Sequence, residues 1–145
     1  MRYLAAVVGV VVGILPAFGE VVCVSKETGY LRELPLLETP RVVLEVPRYY
    51  PLEVTGSEAG FHEAADYWGR RGWIDVASVD RQGCAVVARD RVNIRGGASL
   101  SEPVVMKAPA GVSFRVLELA PEWARVRHES GREGWVHRSL LWGVE

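Results

Sequence analysis

The chain has 145 residues, with 17 basic and 18 acidic side chains and a formal net charge of −1. This balance argues against general nucleic-acid binding, which draws affinity from a positive field over the phosphates. The three histidines and two cysteines show no zinc-ligand spacing, so we expect no metal site and no cofactor.

Residues 1–19 have the layout of a secretory signal peptide. One basic residue, Arg2, precedes a short apolar run, and Pro16 precedes the small-x-small triplet Ala17-Phe18-Gly19. The alternative is a membrane anchor, but the run is shorter than the roughly 20 residues that a spanning helix needs. We expect cleavage before Glu20, export to the periplasm or beyond, and no stable membrane span afterwards.

Short strands follow in chain order after the signal peptide. Compact apolar or alternating runs stand at 21–25, 43–46, 51–54, 84–88 and 114–119, and prolines and glycines separate them. Breakers at this density exclude helices of useful length. Five to six short strands in about 60 residues predict a small, strongly bent barrel. The fold class is therefore predicted to be all-β.

The phrase Gly-x-x-Gly-Trp occurs twice, at 69–73 and at 131–135, which is an offset of 62 residues. Earlier in the units the offset becomes 63, as expected for one inserted residue near Arg41. Repetition at a fixed period indicates a duplicated structural unit. We assign residues 20–81 to a first barrel and residues 82–145 to a second.

The second copy of the phrase belongs to a predicted hairpin. Alternation from Trp123 places Ala124 and Val126 on the core face of its first strand, with Trp123, Arg125 and Arg127 on the outer face. Gly134 allows a close backbone approach before the final strand. The residues predicted to be structural are Gly134, Trp135 and their first-unit counterparts Gly72 and Trp73.

The second unit resembles a bacterial Src-homology-3-type domain. The ordered marks are the Asn93-x-Arg95 strand, a small-residue turn, Trp123, the Gly134-Trp135-Val136 strand and a Ser-Leu-Leu ending. The resemblance implies two small Src-homology-3-like barrels in tandem after the signal peptide. The first unit is similar but divergent, because it has Tyr30-Leu31-Arg32 in the early strand and Phe61 in place of the tryptophan.

Two groups of aromatic residues are candidate ligand contacts. The resemblance implies that Trp123 faces a ligand, and Arg125 and Arg127 share its face; Trp and Arg recur in binding hot spots. The alternative is a shielded surface aromatic with no ligand. Tyr67 and Trp68 are predicted to be exposed at a hairpin tip in the first unit, where they would contact a partner.

The two cysteines lie at the ends of the first unit. The resemblance implies that the first and last strands of such a barrel are neighbours, so a disulfide between Cys23 and Cys84 would close the first barrel. Alternatively, each cysteine is an ordinary small buried hydrophobe. Neither is predicted to be a nucleophile, because no helix is available to lower a thiol pKa.

These observations favour a non-catalytic binding or adaptor module of the bacterial cell envelope. The expected partner is a cell-wall peptide, peptidoglycan or an envelope protein. The second unit carries 9 basic and 7 acidic groups against 7 and 11 in the first. This asymmetry is either drift between solvated surfaces, attraction between the units, or a preference of the second unit for anions. A structural subunit without a small ligand is the main alternative, and a small hydrolase is a remote one.

Overall fold

The computed structural model describes residues 19–38 and 41–144. The predicted signal peptide therefore lies outside the described residues, apart from Gly19. Regular structure in the described part is β, except for two short 3₁₀ turns at Val76–Ser78 and Arg138–Leu140. No helix among these residues has the length and apolar character needed to cross a membrane. The all-β prediction is confirmed.

The first seven strands form one antiparallel sheet in the order β3-β2-β6-β5-β4-β1-β7. The first and last strands are neighbours, with Cys23 opposite Asp80. The strands are β1 (Val21–Val24), β2 (Thr28–Arg32), β3 (Val42–Pro47), β4 (Pro51–Glu58), β5 (Phe61–Ala65), β6 (Arg71–Asp75) and β7 (Val79–Asp80).

The second seven strands repeat this order, as β10-β9-β13-β12-β11-β8-β14. They are β8 (Cys84–Val87), β9 (Arg91–Arg95), β10 (Val104–Pro109), β11 (Ser113–Leu119), β12 (Trp123–Arg127), β13 (Glu133–His137) and β14 (Leu141–Trp142). Strands β1 and β2 recur 63 residues later, whereas β3, β5 and β6 recur 62 residues later. This is the change of offset expected from one inserted residue near Arg41.

Each sheet encloses a core of its own. The first core is built on Val22, Leu31, Leu52, Val54 and Ile74. The second is built on Ile94, Phe114, Val126, Val136 and their neighbours, and Leu141 of the Ser-Leu-Leu ending closes it. Alternation explains the partition, because Ala124 and Val126 of β12 are fully buried.

Gly134 lies where the backbone of β13 meets β9. A Cβ at this position would lie 2.5 Å from Ile94 Cγ2 and 3.0 Å from the carbonyl oxygen of Arg95. Gly72 is its equivalent in the first barrel, where a Cβ would lie 2.7 Å from Leu31 Cβ. Both glycines therefore permit a close approach of packed strands.

The substitution Gly134→Ala is expected to lower the free energy of unfolding of the second barrel by about 2 kcal/mol or more, because a backbone oxygen cannot move aside as a flexible side chain does. Thermal or urea unfolding of the variant measures this effect. Gly96→Ala is the matched control, since a Cβ there would make only ordinary contacts, the nearest at 3.7 Å. Equal stability of the two variants would contradict the close-approach argument.

The two barrels are joined by a packed junction, which consists of Tyr49, Asp80, Cys84, Ser113 and Arg115 with their contacts. The Ser113 hydroxyl donates to the carbonyl of Arg48 at 2.6 Å. The Arg115 guanidinium pairs with Asp80 at 3.2 Å and lies 4.7 Å from the centre of the Tyr49 ring. Val86 of β8 also belongs to the core cluster of the first barrel. The barrels thus share contacts that neither makes alone.

Candidate binding surfaces

The outer face of the second barrel consists of Trp123, Arg125, Trp135 and His137. Strands β12 and β13 pair so that Trp123 lies opposite His137 and Arg125 lies opposite Trp135. All four side chains are half-buried, on the side of the hairpin away from the core. The structure therefore places Trp123 and Arg125 together and adds Trp135 and His137 to them.

The rings of this outer face are held in position by their neighbours. The Trp123 and His137 ring centres are 5.3 Å apart with nearly perpendicular planes, an arrangement that aromatic pairs favour. His137 Nδ1 accepts from the backbone N–H of Ser139 at 3.3 Å. In the neutral imidazole the proton is then on Nε2.

The charge on Arg125 is balanced locally. Its guanidinium pairs with Glu118 at 3.3 Å and with Glu133 at 3.1 Å. Arg127 lies on the same side of β12, half-buried and opposite Glu133 in the register. The outer face is thus aromatic and close to neutral, which suits an uncharged or zwitterionic ligand better than a strong anion.

The equivalent face of the first barrel has no exposed aromatic side chain at the position of Trp123. Phe61 occupies the position of Trp123 but is only 6% exposed, so it is not a surface aromatic. It lines a cavity of about 350 Å³ with Pro35, Leu36 and Leu37. These three residues belong to the loop between β2 and β3, which we call the divergent loop. A ligand cannot use Phe61 in the way that it can use Trp123.

The hairpin tip of the first barrel contains only one exposed aromatic. Trp68 is 68% exposed, and the Arg70 guanidinium carbon lies 4.7 Å from its ring centre. Tyr67 was predicted to be exposed as well, and this is wrong. It is half-buried against the first core, where its ring lies near those of Tyr50 and Trp68.

Asp66 organises this tip. Its carboxylate accepts from the Tyr50 hydroxyl at 3.0 Å, from the Trp68 N–H at 3.0 Å and from the Arg70 N–H and Nε–H, both at 2.8 Å. Burial and the negative charge of Asp66 raise the pKa of Tyr50 far above its usual value. The tyrosine therefore stays a hydrogen-bond donor at any ordinary pH.

The three histidines lie in three different environments. Burial and the positive charge of Arg81 lower the pKa of His62, while Glu20 partly offsets them. His62 contacts Ser57, whereas His128 contacts Ser130 at the second hairpin tip. Within the described residues, no group of three or more His, Cys, Asp or Glu side chains is arranged to hold a metal ion.

A disulfide links Cys23 in β1 to Cys84 at the start of β8, with a Cα–Cα distance of 5.9 Å. Both cysteines are about 1% exposed. The bridge encloses the chain of the first barrel and ends on the first strand of the second.

A pocket that was not predicted from the sequence lies beside the second hairpin tip, lined by Phe114, His128 and Arg132 among others. The signal that would have found it is a comparison of the repeats: Val112 stands where the first unit has Tyr50, and His128 stands where it has Asp66.

Comparison with known proteins agrees with this geometry. Residues 88–143 match the family model of the bacterial SH3 domain. Over 60 residues the chain is 34% identical to YrvJ of Bacillus subtilis (strain 168), which is named as an N-acetylmuramoyl-L-alanine amidase. The matched stretch is 41% of this chain but spans only 12% of the relative.

Two solved structures also overlap most of the chain. NlpC2 from Trichomonas vaginalis covers 88% of this chain and 49% of its own, at 14% identity and a TM-score of 0.40. NlpC1 from the same organism covers 85% and 45%, at 15% identity and a TM-score of 0.39. The second barrel thus matches the bacterial SH3 domain family over residues 88–143, and the first barrel repeats its strand order.

Proposed function

We propose that the chain is an exported, non-catalytic binding protein of the bacterial cell envelope, and that its second barrel binds peptidoglycan. The observation that carries this proposal is the outer face, where Trp123 lies beside His137, Arg125 and Trp135 on a rigid hairpin. Aromatic rings give large contact area at low conformational cost. A near-neutral face suits the glycan and peptide portions of the wall.

The comparisons support the choice of ligand. The bacterial SH3 domain family covers the barrel that carries this face. The name of the Bacillus subtilis relative refers to the muramoyl–alanine linkage of peptidoglycan. The catalytic part of such an enzyme would lie in the larger share of the relative that this chain does not match, and we propose no catalysis for the two barrels.

The test is co-sedimentation of the oxidised protein with purified cell-wall sacculi. Saturable retention is expected for the wild-type chain, and Trp123→Ala should weaken it roughly tenfold or more, the effect of losing a hot-spot aromatic. Leu100→Ala is the matched control, since it removes an apolar side chain that is 75% exposed on the same barrel but outside the outer face. Retention unchanged by Trp123→Ala would contradict the role of this face.

A protein-binding role is the second candidate. It is supported by the divergent loop of the first barrel, in which Leu34, Leu36 and Leu37 are at least half exposed; clustered apolar side chains on a surface mark interaction sites. If the wild-type protein stays in the supernatant with sacculi, this role takes the place of the first. Trp68→Ala in the same assay shows whether the first barrel contributes to wall binding.

A further inference from the structure

A pocket of about 370 Å³ opens beside the hairpin tip of the second barrel. Its floor is Phe114, which is fully buried and lies edge-on to His128 at 5.8 Å between ring centres. Pockets of this size accommodate small ligands. The lining residues are Met106, Lys107, Ala108, Val112, Phe114, His128, Ser130 and Arg132.

The pocket lies where the first barrel has a larger side chain, since Val112 stands at the position of Tyr50. In the first barrel, the Tyr50 side chain is buried and its hydroxyl bonds to Asp66. The backbone hydrogen bond at the two equivalent positions is the same. The N–H of Val24 donates to the Tyr50 carbonyl, and the N–H of Val87 donates to the Val112 carbonyl. Val112 has no ring or hydroxyl to fill the equivalent space, so the second barrel leaves it open.

The side chains around the pocket also differ in charge from their counterparts in the first barrel. Lys107 corresponds to Glu45 and His128 corresponds to Asp66, while Arg132 corresponds to Arg70. In the part of the chain that the structure describes, no carboxylate lines the pocket. A cavity with an apolar floor and only basic ionisable groups at its rim favours a ligand with an apolar body and a negative end.

Two of the rim groups are held as donors. The backbone N–H of Ser130 donates to His128 Nδ1 at 3.2 Å, so in the neutral imidazole the proton is on Nε2. The Arg132 guanidinium donates to the carbonyl of Val105 at 2.6 Å. This contact limits the motion of the arginine and lowers the entropy that binding would cost.

We propose that this pocket binds a peptide C-terminus: a free carboxylate directed to Lys107, Arg132 and His128, with a small apolar side chain against the partly exposed Met106 and Val112. The site is separate from the outer face, because His128 follows the core-facing parity of β12 whereas Trp123 is on the other side. It therefore goes beyond the proposed function and does not depend on Trp123.

Methyl NMR tests the proposal on the full oxidised chain. Met106 lines the pocket, and the sequence contains one other methionine, Met1, so its methyl signal is easily assigned. Titration with N-acetyl-alanyl-alanine is expected to shift this signal saturably, whereas the C-terminal amide of the same peptide leaves it in place. The L,L and D,D forms of the peptide distinguish a protein C-terminus from a cell-wall stem peptide.

Two variants make the test specific. Val112→Tyr places the residue of the first barrel in the pocket and is expected to abolish the shift, with the fold checked by circular dichroism. Lys107→Glu, an exposed change to the first-barrel residue, is expected to weaken binding at least tenfold without affecting folding. Equal shifts of the Met106 signal with the acid and the amide would overturn the proposal. The absence of a saturable shift with both the L,L and the D,D acid would also overturn it, as would unchanged binding by Lys107→Glu. None of these outcomes would contradict the proposed binding of sacculi through Trp123.

Discussion

Reduction of the Cys23–Cys84 disulfide is expected to lower the free energy of unfolding by about 4 kcal/mol, with most of the loss in the first barrel. The bridge joins cysteines 61 residues apart, and a loop of that length restricts the unfolded chain by about this amount in the chain-entropy model. The enclosed segment is the first barrel, so its unfolded state gains the most freedom when the bridge opens.

Thermal unfolding with and without a reductant measures this difference, and a Cys23→Ala/Cys84→Ala variant controls for other effects of the reductant. Thiol titration of the denatured, unreduced protein provides the direct check. No free thiol is expected, and two free thiols per chain would contradict the bridge. Superimposable melting curves with and without the reductant would contradict its contribution to stability.

The substitution Asp66→Ala is expected to destabilise the first barrel by about 3 kcal/mol, because it removes the acceptor of three hydrogen bonds that contribute about 1 kcal/mol each. The Asp66 side chain is fully buried, whereas its partner Arg70 keeps 43% of its side-chain surface exposed. The alanine leaves the Tyr50 hydroxyl and two backbone N–H groups without the acceptor that they now share. The loss of a partner is most costly for the Tyr50 hydroxyl, which is buried.

Urea unfolding of Asp66→Ala measures this loss. His128→Ala is the matched control at the equivalent position of the second barrel, where the side chain accepts only from Ser130 and is part exposed. It should cost no more than about 1 kcal/mol. Similar losses for the two variants would show that Asp66 does not organise the hairpin tip through its hydrogen bonds.

The architecture could be predicted from the sequence because its signals are local. Gly72 and Gly134 mark places where two backbones meet, and the residues around each repeat a whole strand–turn–strand segment. Strand alternation likewise separated Ala124 and Val126 from Trp123, since side chains on successive residues of a strand point to opposite faces. Such signals need no knowledge of the rest of the molecule.

The features that the sequence did not reveal have a different cause. Tyr67 was predicted to be exposed, but it packs against Tyr50 of the first core, 17 positions away in the sequence, which no alternation within β5 and β6 reveals. Phe61 is buried in a cavity lined by the divergent loop, a contact between segments that are distant along the chain. The open pocket depends on the exchange of Tyr50 for Val112, which a position-by-position comparison of the two repeats shows.

We propose above that the second barrel binds peptidoglycan, and the indole N–H signals of the five tryptophans test this most directly during titration with soluble fragments of digested peptidoglycan. The signals of Trp123 and Trp135 are expected to shift saturably, while those of Trp68 and Trp73 in the first barrel are expected to stay in place. Shifts confined to Trp68 and Trp73, or no shift of any indole signal, would contradict the proposal.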